Sequence, residues 1–193
     1  MPASESFVAT ELPGHSHPST WHIASALAEV LTRHNHQRGE RLSKMGISLS
    51  VIERDEQTGA PVASYRRVDI ESGEDVARCL QTKALSRLEP LEILHPRLPF
   101  RLLSPLAPLL SDTFLFTNFG EIALPGVKSF WPFPVARGRS GVAFGAVTLN
   151  EEKLVLTLRA RYLDATDAEA VLGEVKDTLA QHSRASREAR GGR

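Results

Sequence analysis

At 193 residues, of which 41% are hydrophobic and 24% charged, the chain can bury a core and is too apolar to be disordered. Lys plus Arg and Asp plus Glu balance at 23 each, which excludes the strong net field that attracts nucleic acid or an anionic membrane. The single cysteine, Cys79, excludes an internal disulfide, and no apolar run approaches the length of a membrane span. We therefore expect a soluble, cytoplasmic domain.

The first half of the chain predicts an arm followed by two helices that flank a pair of strands. Polar residues with Pro2, Pro13 and Gly14 indicate a flexible arm over residues 1–18. Apolar residues at helical spacing predict a helix that Ser19 or Thr20 caps and Gly39 ends. Period-two alternation and a second helical pattern then predict strands at Met45–Val51 and Val62–Ile70 and a helix at Glu74–Leu88.

The second half predicts short strands and one final helix. The five prolines of Pro90–Pro108 exclude a long regular element, and Phe114–Phe116 reads as a buried strand. The segment Val127–Val135 alternates aromatic residues with prolines, which is typical of an edge or a crossover. The remaining patterns predict a hairpin of Gly141–Leu149 and Lys153–Tyr162, a helix opened by a Thr166/Glu169 capping box, and a frayed tail over Ser183–Arg193.

The most informative stretch is Asp112–Gly120, DTFLFTNFG, whose strand ends in Thr117-Asn118-Phe119-Gly120. Small and hydrogen-bonding groups there suit backbone that lies close to another group. With the order of the elements over roughly residues 19–179, this stretch resembles the carboxyl-terminal lobe of the condensation-domain and acyltransferase superfamily. Its Ser/Thr-Asn-hydrophobic-Gly strand end lies beside the channel in that family. The helix that closes on Arg33–Gly39, the strand Ile47–Arg54 and the terminal hairpin and helix are also similar.

The resemblance implies an α+β fold in which helices pack on one side of a mixed sheet, as a single chloramphenicol acetyltransferase-like lobe. The expected layout is a flexible arm over residues 1–18, the lobe over 19–182 and a disordered tail over 183–193. In the family two lobes enclose a channel, and a histidine of an HHxxxDG motif deprotonates the attacking hydroxyl or amine. No HHxxxDG occurs in this sequence, so we assign no catalytic residue.

The candidate substrate-binding residues are Thr117, Asn118, Gly120 and Trp131. Thr117 and Asn118 offer donors to a carbonyl or a pantetheine arm, although strand-end residues commonly satisfy backbone groups instead. Trp131, with its neighbours Phe130 and Phe133, predicts an acyl-binding wall, a subunit contact or simply core. We expect no bound cofactor, and the resemblance implies acyl-CoA or a phosphopantetheine-linked acyl group as substrate.

Other polar patterns favour ordinary solvated surface. On a helix His34 and His36, two residues apart, point in different directions and cannot share a metal ion. His15 and His17 could share one on extended chain, but no cysteine or acidic cluster stands beside them. Two arginine pairs are candidates for a phosphate of the pantetheine arm, and solvated surface is favoured for both: Arg137 with Arg139, and Arg159 with Arg161. We expect no metal and no nucleic acid.

Two functions remain open. In the first, the chain is the scaffold lobe of a split or oligomeric acyltransferase or condensation-type enzyme, in lipid or secondary metabolite biosynthesis, and a partner supplies the histidine lobe. In the second, it is a non-catalytic or truncated lobe that binds an acyl carrier, a hydrophobic ligand or a partner protein. Because a lone lobe exposes the apolar face that normally meets its twin, both functions predict self-association or a partner.

Overall fold

The computed structural model describes residues 5–14, 18–39, 44–54, 57–71, 74–83, 86–87, 113–134, 141–161 and 163–191. Within these ranges the helices are α1 (Thr20–Gln37), α2 (Val76–Thr82) and α3 (Ala165–Gly191). The strands are β1 (Ser6–Pro13), β2 (Lys44–Arg54), β3 (Pro61–Glu71), β4 (Ser86–Arg87), β5 (Phe114–Ile122), β6 (Val142–Leu149) and β7 (Lys153–Ala160). The Pro90–Pro108 segment lies outside the described residues.

The strands form one mixed, seven-stranded sheet in the order β1-β7-β6-β5-β2-β3-β4. Strand β5 is parallel to both of its neighbours, β2 and β6, and the other pairings are antiparallel. The core joins the buried stripes of the three helices to alternate residues of the strands, such as Ile47, Phe116 and Leu156. Because strand residues alternate between faces, these contacts put the helices on one side of the sheet, as predicted. The fold class is α+β.

Several predicted elements are confirmed. Helix α1 begins where Ser19 caps it, with the serine hydroxyl accepting a hydrogen bond from the His22 backbone N–H. Strands β2 and β3 and the β6–β7 hairpin form where period-two alternation predicted them. The aromatic strand forms as well, with Phe114 and Phe144 packed edge to face at a ring-centroid distance of 5.8 Å.

The flexible arm predicted over residues 1–18 is wrong for residues 6–13, which form strand β1. This strand pairs with β7 along its whole length, from Ser6 opposite Ala160 to Pro13 opposite Lys153. Val8 and Leu12 are buried against the helices, so the burial of this alternating apolar face stabilises the strand. Pro2 and Pro13, on which the prediction of an arm rested, obscured that alternation. The segment belongs to the sheet.

The second helix is shorter than the predicted Glu74–Leu88. It starts after Asp75, whose carboxylate accepts the Arg78 N–H, and it ends at Thr82 because Lys83 is extended. The Lys83 ammonium donates to the Glu74 carboxylate and to the Asp69 carbonyl, which draws the chain back to the sheet. Residues 86–87 then pair with β3 as the edge strand β4.

The final helix differs from its prediction at both ends. Asp164, not Thr166, provides the cap, because its carboxylate accepts the backbone N–H of Asp167 at 2.8 Å. The tail predicted to be frayed from residue 183 continues the helix to Gly191. Alanine, arginine and glutamate dominate this segment, and their high helix propensity explains the extension.

A polar cluster fixes β1 and β7 to the segment that follows β5. The Lys153 ammonium lies 2.8 Å from the Glu11 carboxylate and donates to the Lys128 carbonyl at 2.6 Å, while the Ser129 hydroxyl donates to Glu11 at 3.1 Å. The hydrogen bond from Lys153 holds the pKa of Glu11 below its ordinary value. Because the folded pKa is lowered, the stabilisation is present above the unfolded pKa and is lost as the pH falls through the folded one.

Replacing Glu11 by glutamine is therefore expected to lower the free energy of unfolding at neutral pH by less than about 1 kcal/mol, since the pair is partly exposed. The difference from the unmodified chain starts to shrink as the pH falls to the ordinary pKa of a glutamate, about 4.3, and vanishes only below the lowered pKa of the folded chain. Urea unfolding at several pH values measures it, with Glu151→Gln in the exposed β6–β7 turn as control. A difference that stayed constant down to pH 3 would contradict the assignment.

Candidate functional site

Thr117 lies on the sheet face opposite the helices, which we call the open face. In register across the sheet it stands between Ser50 of β2 and Gly145 of β6, and Gly145 in turn faces Thr157 of β7. Thr117 is half-buried. Its hydroxyl therefore belongs to a row of small and hydroxyl side chains on the open face, as a ligand-contacting position requires.

Asn118 does not share a site with Thr117, because adjacent residues of a strand face opposite sides of the sheet. Its side-chain amide donates to the Thr20 hydroxyl at 2.9 Å, at the first turn of α1. The side-chain carbonyl oxygen of Asn118, Oδ1, accepts a hydrogen bond from the Gly120 backbone N–H at 3.0 Å. The structure thus gives Asn118 two internal hydrogen bonds, which tie the carboxyl half of β5 to α1.

The predicted strand end is a bulge within a longer strand. Strand β5 continues to Ile122, and its register with β6 shifts between Asn118 and Glu121. Gly120 has a φ of +72°, and a side chain added there would meet no atom within 4 Å. The glycine is therefore needed for its backbone angle, and the expected close approach of another group is not seen among the described residues.

Substituting Gly120 by alanine is expected to lower the free energy of unfolding by about 1–2 kcal/mol, because the left-handed conformation strains a residue with a Cβ. Gly120→Asn is the matched control, since asparagine tolerates this region and should lose less. Chemical denaturation measures both variants. Equal losses for alanine and asparagine would show that φ is not the reason for the glycine.

Trp131 lies in a crossing segment, residues 127–134, that connects β5 towards β6 without joining the sheet. The segment is anchored by Pro132, which is buried over Gly145 and whose carbonyl accepts the Thr157 hydroxyl at 2.7 Å. Phe130 packs against the open-face cluster of Val147, Leu149 and Val155. The predicted crossover is confirmed, and Phe130 is part of the core, whereas the indole of Trp131 is not.

An exposed aromatic patch results from this arrangement: Phe7 and Phe133 contact each other, and Trp131 is exposed two residues before Phe133 on the crossing segment. Trp131 is 58% and Phe133 55% exposed, and the Phe7 and Phe133 rings lie 4.9 Å apart. The Arg159 guanidinium lies over the Phe133 ring at 4.8 Å and bonds the Glu5 carboxylate, which holds the pKa of Glu5 below its ordinary value. Arg159 is thus occupied within the patch.

Phe7 was missed because it lies in the expected arm, although the alternation in SFVATEL signals a strand.

No histidine in the described part of the chain stands beside an acidic partner in a buried site. His22 is exposed, and its Nδ1 lies 2.8 Å from the Ser19 hydroxyl that caps α1. His182 is 40% exposed and lies 3.5 Å from Glu29 on the helical surface. His15, His17 and His95, like Arg137 and Arg139, lie outside the described residues.

Within those same ranges, no group of three or more His, Cys, Asp and Glu side chains is placed to hold a metal ion. Cys79 is buried in α2, and this burial raises the pKa of its thiol. The described helices include none that is both long enough and apolar enough to cross a bilayer.

Similarity to solved structures is clear at the level of the fold. A condensation domain that mediates chain release from the enacyloxin polyketide synthase superposes with a TM-score of 0.60 and 13% identity, over 94% of this chain and 41% of that chain. A probable dihydrolipoamide acetyltransferase from Listeria monocytogenes 4b F2365 has a TM-score of 0.58 and 11% identity, over 93% and 85%. A chloramphenicol acetyltransferase has a TM-score of 0.54 and 10% identity, over 92% and 89%.

The lengths of these matches differ in an informative way. The chain spans less than half of the condensation-domain chain but most of each acetyltransferase chain. No protein-family model and no curated protein sequence matches it. The chain therefore has the chloramphenicol acetyltransferase-like fold, with the extent of a single lobe.

Proposed function

We propose that this chain is the scaffold lobe of a split or oligomeric acyltransferase or condensation-type enzyme that acts on acyl thioesters of coenzyme A or a carrier protein. The observation that carries the proposal is the combination of this single-lobe fold with the exposed aromatic patch on the open face. Both are present in a chain that has no HHxxxDG motif.

The aromatic patch supports the binding of a partner protein, because large apolar side chains exposed together on one face commonly mark an interaction surface that association buries. Trp131 and Phe133 are each more than half exposed, and aromatic residues are enriched at the energetic centres of interfaces. The partner that fits the proposed enzyme is a histidine-containing second lobe, because another copy of this chain would cover the patch without bringing an HHxxxDG motif.

In the assembled enzyme the acceptor oxygen or nitrogen attacks the thioester carbonyl, and the carbon–sulfur bond breaks to release a thiol. The partner's histidine takes the proton from the acceptor and returns it to the leaving sulfur. Thr117, on the open face, offers a hydroxyl to the acyl carbonyl or the pantetheine arm, and Trp131 forms part of the wall. Asn118 and Gly120 fix the shape of β5 beside them.

The alternative is a lobe that binds a carrier, a hydrophobic ligand or a partner protein without catalysis. The absence of HHxxxDG favours this non-catalytic alternative. Without the motif the chain has no general base for acyl transfer unless a partner protein supplies one. The two functions differ in one respect that can be measured, which is acyl transfer by the complex that the chain forms in its own cell.

The test isolates the tagged chain with its bound proteins from the producing cells and follows thiol release from an acyl-CoA and from an acyl-pantetheine thioester. The recombinant chain provides the comparison. We expect the complex to exceed the recombinant chain by roughly 10²–10⁴-fold, the usual contribution of a positioned general base. A complex without transfer activity would establish the non-catalytic alternative.

A further inference from the structure

Strand β1 forms one edge of the described sheet, and one side of its backbone faces away from the sheet. It is the first strand in the order β1-β7-β6-β5-β2-β3-β4, and it pairs with β7 along its whole length. Among the described residues, the backbone groups of residues 6–12 bond only those of β7. Backbone N–H and C=O groups along a sheet edge are a template for a further strand.

Hydrogen bonds at the ends of the two β7 ladders show which residues of β1 face outward. The Gly14 N–H donates to the Glu152 carbonyl at 2.9 Å, in the same register as the β1–β7 pairs. On the other side of β7, the Arg161 N–H donates to the Gly141 carbonyl at 2.8 Å, in register with the β6 pairs. Because hydrogen-bonded pairs alternate in an antiparallel ladder, even-numbered residues of β1 bond β7 and odd-numbered residues direct their backbone groups outward. Within residues 6–12 the outward residues are Phe7, Ala9 and Glu11.

This edge is accessible and regular. The Phe7 and Ala9 side chains are exposed, and Thr10, which faces the helices, is only half-buried. Natural edge strands usually avoid pairing through lysines, prolines, bulges or short length. Residues 6–12 contain no lysine or proline, and their ladder with β7 has no bulge. Their one charged side chain, Glu11, is already bound to Lys153.

The opposite edge of the described sheet does not offer a matching strand. Strand β4 consists of Ser86 and Arg87, so a head-to-tail contact of β1 with β4 of another molecule would form only a very short ladder. A contact between two β1 strands is antiparallel and closes on a two-fold axis, as most homodimer contacts do. The strand that matches β1 in length and in outward groups is therefore β1 of a second copy.

We propose that two copies of this chain form a dimer through antiparallel pairing of their β1 strands, with the two-fold axis at Ala9. In this register Ala9 lies opposite its own counterpart, and Phe7 lies opposite Glu11 of the second copy. Every outward N–H and C=O group of these three residues is then paired. Shifting the register by two residues in one direction places Phe7 opposite Pro13, which has no N–H. Shifting it in the other direction places Glu11 opposite Glu5, which opposes like charges.

The test measures the oligomeric state of the full-length recombinant chain by sedimentation velocity over a concentration series. A short strand-to-strand interface predicts a dissociation constant of roughly 1–100 μM. Ala9→Pro removes the N–H at the two-fold axis from both copies, so it should weaken the dimer at least about tenfold. The monomer should still fold, because an edge strand tolerates proline where its N–H faces outward. Ala9→Ser is the matched control, which keeps the N–H and a small side chain and should change the constant by less than about threefold.

Ala9→Lys is a second variant, and it keeps every backbone hydrogen bond. Two like charges would face each other across the axis, so the dimer should weaken at low ionic strength. It should recover in about 1 M salt, where screening reduces the repulsion. A dimer that weakened equally at both ionic strengths would show that the lysine acts by disturbing the fold rather than by facing its counterpart, and would contradict the register.

Cysteine cross-linking tests the register directly, in a chain that also carries Cys79→Ser. Ala9→Cys should form a disulfide-linked dimer on mild oxidation, because directly opposed Cα atoms lie about 5.5 Å apart, within the range of a disulfide. Phe7→Cys is the matched control at another exposed position of β1. In the proposed register its counterpart lies about 14 Å away along the strands, which is too far for a disulfide.

Three results would overturn the proposal: an unmodified chain that is monomeric at about 1 mM, an Ala9→Pro variant that dimerises as tightly as the unmodified chain, or equal cross-linking of Phe7→Cys and Ala9→Cys. The inference does not depend on the proposed acyl-transfer function. Its tests use the recombinant chain alone and follow no thiol release, so this inference and the proposed function fail separately.

Discussion

Replacing Gly145 by alanine is expected to lower the free energy of unfolding by about 1–3 kcal/mol, although it adds one methyl group. A Cβ at this position would lie 2.6 Å from the Thr157 hydroxyl and 3.4 Å from Pro132 Cγ. Thr157 would have to turn away, and its buried hydrogen bond to the Pro132 carbonyl would break. The crossing segment that carries Trp131 and Phe133 would then lose its anchor.

A double-mutant cycle tests this explanation. Thr157→Val removes the same hydrogen bond, so the Gly145→Ala/Thr157→Val double variant should lose less stability than the sum of the single variants. Gly173→Ala in α3 is the matched glycine control. No atom lies within 4 Å of its added Cβ, and a helical glycine replaced by alanine should gain about 0.5–1 kcal/mol. Additive losses in the cycle would mean that the two residues act independently.

Substituting Trp131 by alanine is expected to weaken association of the chain with its partner lobe, or with itself, by roughly 30-fold. Trp131 is 58% exposed in the aromatic patch, so its removal should leave the free energy of unfolding within about 0.5 kcal/mol of the original. Sedimentation velocity over a concentration series measures the association, and denaturant unfolding measures the stability.

Val127→Ala provides the control for Trp131, because Val127 is also exposed on the crossing segment but lies outside the aromatic patch. It should change the association by less than threefold, since small aliphatic contacts contribute little at interfaces. The role of Trp131 in association would be contradicted if the unmodified chain stayed monomeric at high concentration and bound no partner in its producing cells.

Elements whose own residues carry a strong periodic signal could be predicted from the sequence. Helix α1 and the β6–β7 hairpin have regular apolar spacing and clear caps or turns, and they form where they were expected. Strand β1 was missed because its stability depends on pairing with β7, about 150 residues away, which local composition does not reveal. The predicted cap at Thr166 is wrong for a local reason. Asp164, two residues earlier, caps the helix instead, because its charged carboxylate is the better acceptor.

The candidate site was harder to predict than the fold. Thr117 and Trp131 lie on or over the open face, as a binding role requires, whereas strand alternation turns Asn118 towards α1. The alignment of Ser50, Gly145 and Thr157 with Thr117 gave no signal, because it comes from the register between strands rather than from any spacing along the chain. Strands that are distant in sequence must pair before that register exists.

The central claim is that any acyl transfer by this protein takes its general base from a different lobe. The most direct measurement replaces all seven histidines of the chain by glutamine and follows thiol release by the complex purified from the producing cells. We predict an unchanged rate once circular dichroism has shown that the variant folds. A fall of a hundredfold or more in the folded variant would place the base within this chain and contradict the claim.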